Sequence, residues 1–177
     1  MSTRPSALAP HGFTLFELLI VIVIIGIMAS FAVLSLGSRA LDERLDTEAR
    51  RLNELIALAA EEAVLQGTEL GFIQTADGYA FLVLKEGKWL PLEDNGALRP
   101  RALNEPFYLE LRMEDRPVAA AKLDDEKVEL KPQVLLLSSG EATAFRLDLH
   151  ARNFAVYFQL EGDVLGRLKL ERKEPES

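Results

Sequence analysis

One uncharged run limits what this chain can become more than any other feature. From Leu18 to Ser38, about 21 residues, no side chain can hold a charge, and the first charge beyond is Arg39. At about 1.5 Å rise per residue, a helix of that length covers about 30 Å, the thickness of a bilayer's hydrocarbon core. The segment is long enough to span. A single acid, Glu17, stands immediately before it, within HGFTLFELLIVIVIIGIMAS at residues 11–30.

Three readings of this N-terminus predict different mature proteins. A secretory signal peptide has an apolar stretch of about 7 to 15 residues and is then cut away. Here the run is longer, and the helical pattern continues beyond it through LDERLDTEARRLNELIALAAEEAVLQG. A plain signal anchor explains the length and leaves Glu17 unexplained. In the third reading, cleavage falls between Gly12 and Phe13, so that MSTRPSALAPHG is lost and the apolar helix is kept.

Gly12, Phe13, Thr14, Leu15 and Glu17 form G-F-T-L-x-E ahead of an apolar helix, which resembles the N-terminus of type IV pilins and type II secretion pseudopilins. The resemblance implies that a prepilin peptidase cuts after Gly12 and methylates the new N-terminal residue, Phe13. Family leaders usually carry Lys or Arg next to the glycine, whereas this leader offers only Arg4 and His11 as cations.

Glu17 has two compatible roles. T-L-F-E is a capping-box spacing, in which Thr14 caps the helix and Glu17 returns to the cap's amide. A carboxylate in the first turn also suits the helix dipole, by about 0.3 to 1 kcal/mol when exposed. An acid moved into hydrocarbon costs about 2.5 to 3.5 kcal/mol on insertion scales, so an acid at this depth calls for a partner. The resemblance supplies one: the free amine of Phe13 on a neighbouring subunit, with Glu17 selecting and registering neighbours during filament assembly.

Beyond the uncharged run, Leu41, Leu45, Ala49, Leu52, Ile56, Ala59 and Ala63 recur at spacings of three or four. That is one apolar stripe of a helix, the face a sheet would cover. Gly67 is placed to stop it, as glycine does just past a helix end. A helix from Phe13 to Gln66 is about 54 residues, on the order of 80 Å if unbroken. Its first half is predicted to lie in lipid or filament and its second half to form the spine of a globular domain.

After Gly67 the period changes from 3.6 to 2. LGFIQT and YAFLVLK flank ADG, a hairpin signal, and KWLPL follows EG. FYLELRM, QVLLLSS, AFRLDLH, FAVYFQLEG and VLGRLKLE complete about seven or eight short strands with turn chemistry between them. The predicted fold is α+β: a long N-terminal helix, transmembrane in its first half, packed on an antiparallel β-sandwich of about seven or eight short strands, as in pilins. The predicted division is a leader at 1–12, a membrane or filament-core helix at 13–38, a helix extension at 39–66 and a β-rich domain at 67–177. Residues 94–106 read as an ordered surface loop and 115–127 as a mobile excursion between strands. Asp124, Asp125 and Glu126 lack the spacing of a calcium loop and read as a solvated charge run.

Charge and composition narrow the chemistry. A formal net charge of −8 makes nucleic acid and anionic lipid poor partners for the globular part, and Arg99 with Arg101 are too few for a groove. The expected partner is protein. The absence of cysteine excludes disulfides, thiolate metal sites and a cysteine nucleophile. His150 is the only histidine after the leader, no G-x-S-x-G or phosphate-cradling loop occurs, and no histidine pair stands at metal spacing. No catalytic residue, metal ligand, cofactor or small-molecule substrate is expected.

Within the family, A-x-x-x-G-x-E-L-G after the helix, then D-G-Y-x-F, W-x-P-L and S-G-E-A-T-x-F, resemble the H-type minor pseudopilins of type II secretion systems. The resemblance implies a bacterial inner-membrane root, a periplasmic domain, and a short filament shared with G-, I-, J- and K-type subunits that helps export folded proteins. K-type subunits characteristically lack the acid found here as Glu17. A minor pilin of a type IV pilus is the alternative.

Overall fold

A computed structural model describes residues 15–93, 96–123 and 129–174, with the side chains of 29–38 outside that set. Gly12, Phe13, Thr14 and the acids Asp124, Asp125 and Glu126 therefore lie outside the described residues. Two compact units divide the chain, Met1–Leu41 and Asp42–Ser177. One helix, α1 (Leu15–Gln66), contributes to both.

In the first unit, every described side chain of α1 from Leu15 to Met28 is exposed. No helix among the described residues is long and apolar enough to cross a membrane. The sequence's uncharged run continues through residues 29–38, beyond the described side chains.

In the second unit the apolar stripe is buried as its spacing predicts: Leu45, Ala49, Leu52, Ile56, Ala59 and Ala63 are all within 3% of full burial. Leu41, the stripe's first residue, is half-buried. The helix ends where glycine allows a left-handed turn. Gly67 takes φ 61°, its amide donates to the Val64 carbonyl at 3.4 Å and that of Thr68 to Ala63 at 3.1 Å. This paired closure caps carbonyls that would otherwise lack partners.

Two antiparallel sheets follow. The first has the order β3 (Lys88–Pro91), β2 (Gly78–Lys85), β1 (Leu70–Gln74), β7 (Val134–Leu136), with β4 (Arg101–Ala102) also on β2. The second has the order β10 (Leu168–Lys173), β9 (Tyr157–Gly162), β8 (Phe145–Ala151), β5 (Phe107–Met113), β6 (Arg116–Pro117). Alternation sets their faces. On β5 and β8, Phe107, Leu109, Leu111, Phe145, Leu147 and Leu149 are buried, and Tyr108 and Glu110 are exposed. Arg44 of α1 lies 5.4 Å over the Phe107 ring and Arg172 of β10 reaches Asp42 at 3.5 Å, which ties helix to second sheet.

The first sheet is buried on both faces. Phe72, Tyr79 and Phe81 pack together on one, at centroid separations of 5.6 to 6.2 Å, Phe72 stacked on Tyr79 and Phe81 edge-on to both. On the other, Ile73, Ala80 and Leu82 are covered by Trp89, Ala121, Leu123 and Leu130. The described part of 115–127 is thus no free excursion. Glu114 and Asp115 take left-handed φ values of 49° and 61° in a two-residue turn, Arg116 pairs with Met113, and the Ala121 amide donates to the Gln74 carbonyl at 2.7 Å. Turns of this type favour Asn, Asp or Gly, and with Glu in the first position the signal is weak in the sequence.

Two predicted strands begin late. β9 starts at Tyr157, three residues after Phe154, and β10 starts at Leu168. Val164 and Leu165, read from VLGRLKLE as strand, instead occupy a turn, because Asp163 accepts hydrogen bonds from the amides of Leu165 at 2.9 Å and Arg167 at 3.0 Å.

Candidate functional site

Glu17 stands in the first turn of α1, among large apolar side chains whose exposure runs from 40% at Val21 to 83% at Leu15. Burying one such side chain is worth about 1.5 to 3 kcal/mol. A run of this size left in water is costly, so hydrocarbon or neighbouring helices must cover it. An acid within that covered zone then needs a cation or a capped amide beside it. The proposed cleavage pair, Gly12 and Phe13, lies outside the described residues.

The remaining sequence candidates sit in structural roles. His150 is half-buried rather than free on the surface, stacked between Tyr108 at 5.2 Å and Tyr157 at 4.7 Å across three strands. Arg99 and Arg101 turn back on their own loop, donating to the carbonyls of Gly96 at 2.6 Å and Ala97 at 3.0 Å. Leu98, fully buried, anchors that loop. Among the described residues, no group of three or more His, Asp or Glu is arranged to hold a metal.

Charged groups on the second sheet neutralise one another. In a pocket of about 590 Å³ lined by Arg146, Glu161, Asp163 and Arg167, Arg146 binds Asp115 at 2.7 Å and Glu161 at 3.1 Å. Arg167 binds Asp163 at 2.6 Å. Hydrogen bonds from Lys169 and Lys173 hold the Glu171 carboxyl down at about 2. Asp148, read as an outward polar position, is 6% exposed and accepts a hydrogen bond from Gln159 at 2.9 Å. Pairing of this kind builds a surface.

One buried polar group escaped the sequence reading. Gln74 of β1 donates through Nε2 to the Leu109 carbonyl at 2.6 Å and accepts through Oε1 from the Leu111 amide at 2.9 Å. Its amide side chain substitutes for a peptide of an adjoining strand and joins the two sheets. Only the absence of charge in LGFIQT pointed toward burial there.

Residues 48–166 match the family described as type II transport protein GspH. The chain belongs to that family. Residues 9–33 match the prokaryotic N-terminal methylation motif. Type II secretion system protein H of Pseudomonas aeruginosa is 37% identical over 174 residues, covering 93% of this chain and 99% of that protein. The protein of the same name from Aeromonas hydrophila is 32% identical over 175 residues, covering 93% and 95%. The crystal structure of EpsH, a minor pseudopilin of the type II secretion system of Vibrio cholerae, is similar in fold, with a TM-score of 0.62 at 23% identity, covering 74% of this chain and 97% of that one. The helix packed on antiparallel sheets thus matches the fold of that pseudopilin.

Proposed function

We propose that this GspH-family chain is a minor pseudopilin of a type II secretion pseudopilus, a structural subunit rather than an enzyme. It assembles near the filament tip and helps export folded proteins across the outer membrane. The observation that carries this reading is the pairing, in one chain, of the methylation motif at 9–33 with the GspH match at 48–166.

In this reading residues 1–12 are a leader removed by prepilin peptidase, and Phe13 becomes the methylated N-terminus. Residues 13–38 form a single-pass anchor in the bacterial inner membrane and then the filament core. Residues 39–66 extend the helix into the periplasm, and 67–177 complete the domain there. Its partners are the G-, I-, J- and K-type subunits. Glu17 pairs with the Phe13 amine of a neighbour, supported by its position ahead of an exposed apolar helix face.

Glu17→Gln tests this. Gln satisfies a capping box as well as Glu does, so a cap alone predicts a silent change. A buried ion pair stripped of one partner leaves the other unmatched, a loss of about 3 to 5 kcal/mol. The variant is expected to insert and to be cleaved normally, while crosslinking to partner subunits and export both fall at least tenfold. Normal crosslinking and export would return Glu17 to the role of a helix cap.

A further inference from the structure

Six large apolar side chains of the second unit are strongly exposed among the described residues: Val64, Leu65, Leu90, Tyr108, Val164 and Leu165. Four of them belong to two segments, the end of α1 and the β9–β10 turn, that meet at one loop. The last turn of α1 presents Val64 and Leu65, at 49% and 76% exposure, and the β9–β10 turn presents Val164 and Leu165, at 60% and 61%. The loop before Glu141 joins them: a Cβ on Gly140 would lie 3.9 Å from Val64 Cγ2, and one on Gly166 would lie 2.8 Å from the Gly140 carbonyl oxygen. The Ala142 amide closes the group by donating to the Val164 carbonyl at 3.1 Å.

The display is rigid. Asp163 accepts from two amides and from Arg167 Nε at 2.7 Å, and those bonds hold its carboxyl below the usual carboxylate range. Gly166 takes φ 71°, which an ordinary side chain resists, so the turn is fixed by its sequence. Tight turns are normally filled by polar residues. Two branched apolar side chains held outward on one form a preorganised contact, which binds without paying to order a loop.

Charge decides the occupant. Glu61 and Glu141 are exposed beside the apolar group, and α1 has no basic residue in its last turn to offset the negative end of its dipole. Among the described residues there, the one cation, Arg167, is taken by Asp163. A second copy would set acid against acid in a two-fold contact, and an anionic lipid surface would be repelled. We propose that this patch docks an apolar socket ringed by Lys or Arg on a different subunit of the same filament, an inference resting on the pseudopilin reading above.

The test uses the full chain in membranes that contain the rest of the secretion system. A benzoyl-phenylalanine photocrosslinker replaces Leu165, with Leu90 as an exposed control and Ile20 as a filament-core probe. The expected result is an adduct at Leu165 at least tenfold above that at Leu90, with mass spectrometry identifying a different protein that carries a processed methylation motif. Glu61→Lys with Glu141→Lys is expected to cut that adduct at least fivefold without lowering the melting temperature. An adduct with a second copy, or an unchanged yield in the charge-reversed variant, would overturn the proposal. Adducts at Ile20 without any at Leu165 would overturn the docking surface alone. Adducts at neither position would sink the filament reading with it.

Discussion

Tyr79 is 2% exposed and stacked against Phe72, with Phe81 edge-on at 6.2 Å. Burial pushes its hydroxyl up to about 12, the largest influence, with Arg101 pulling against it and Glu48 adding to it. A folded-state pKa above the ordinary value of about 10 stabilises the fold fully below that pH, and the contribution is lost as pH rises through about 12. Absorbance titration should therefore show a tyrosinate component that emerges only near pH 12, and Tyr79→Phe should remove it. A titration lacking that component would mean that Tyr79 meets water. Its burial was legible in YAFLVLK, whose apolar run exceeds what a half-exposed strand needs. The placements of Asp148 and His150 were not, because alternation assigns a face and says nothing about the long neighbours that cover it. Asp148 is roofed by its own sheet, and His150 is held by two tyrosines from flanking strands.

Between elements, Gln74 carries the joint from β1 to β5. Replacing it by Leu keeps the volume and strips partners from a buried carbonyl and a buried amide, each costing about 1 to 3 kcal/mol. Gln74→Leu should lower stability by roughly 2 to 4 kcal/mol and melting by on the order of 10 °C, measured by denaturation of the 42–177 fragment. A change below about 0.5 kcal/mol would show that the two sheets close without that amide. The longer strands were readable from period-2 alternation in β5, β8, β9 and β10 and from short apolar runs bounded by turn residues in β1, β2 and β7. β4 and β6, two residues each, carry no period at all. The cover of the outer face by Ala121 and Leu123 was hidden for a related reason: Pro, Ala and acids resemble a loop, and only the buried face of β1 and β2 reveals the need for a lid.

At the scale of the whole molecule, sequence carried the division of labour. An uncharged helical run, an acid before it and an alternating domain behind it divide the chain into a helix and a β-rich part, and it is the resemblance of G-F-T-L-x-E to pilin N-termini that implies a filament subunit. Structure bore out the burial of the second half of α1 and added the apolar turn at Val164 and Leu165, which read as strand because a turn held by Asp163 and Gly166 leaves no break in a hydrophobic pattern. The pseudopilin reading rests on how the N-terminus matures, since the anchor and the Phe13 amine exist together only if the leader is removed and the helix kept. Mass spectrometry of the intact protein from membranes of a cell with its own prepilin peptidase decides that most directly. The predicted mature chain begins at Phe13 and bears one methyl group on its amine, while Gly12→Val retains the leader. A wild-type chain beginning at Met1, or at any residue beyond Ser30, would contradict it.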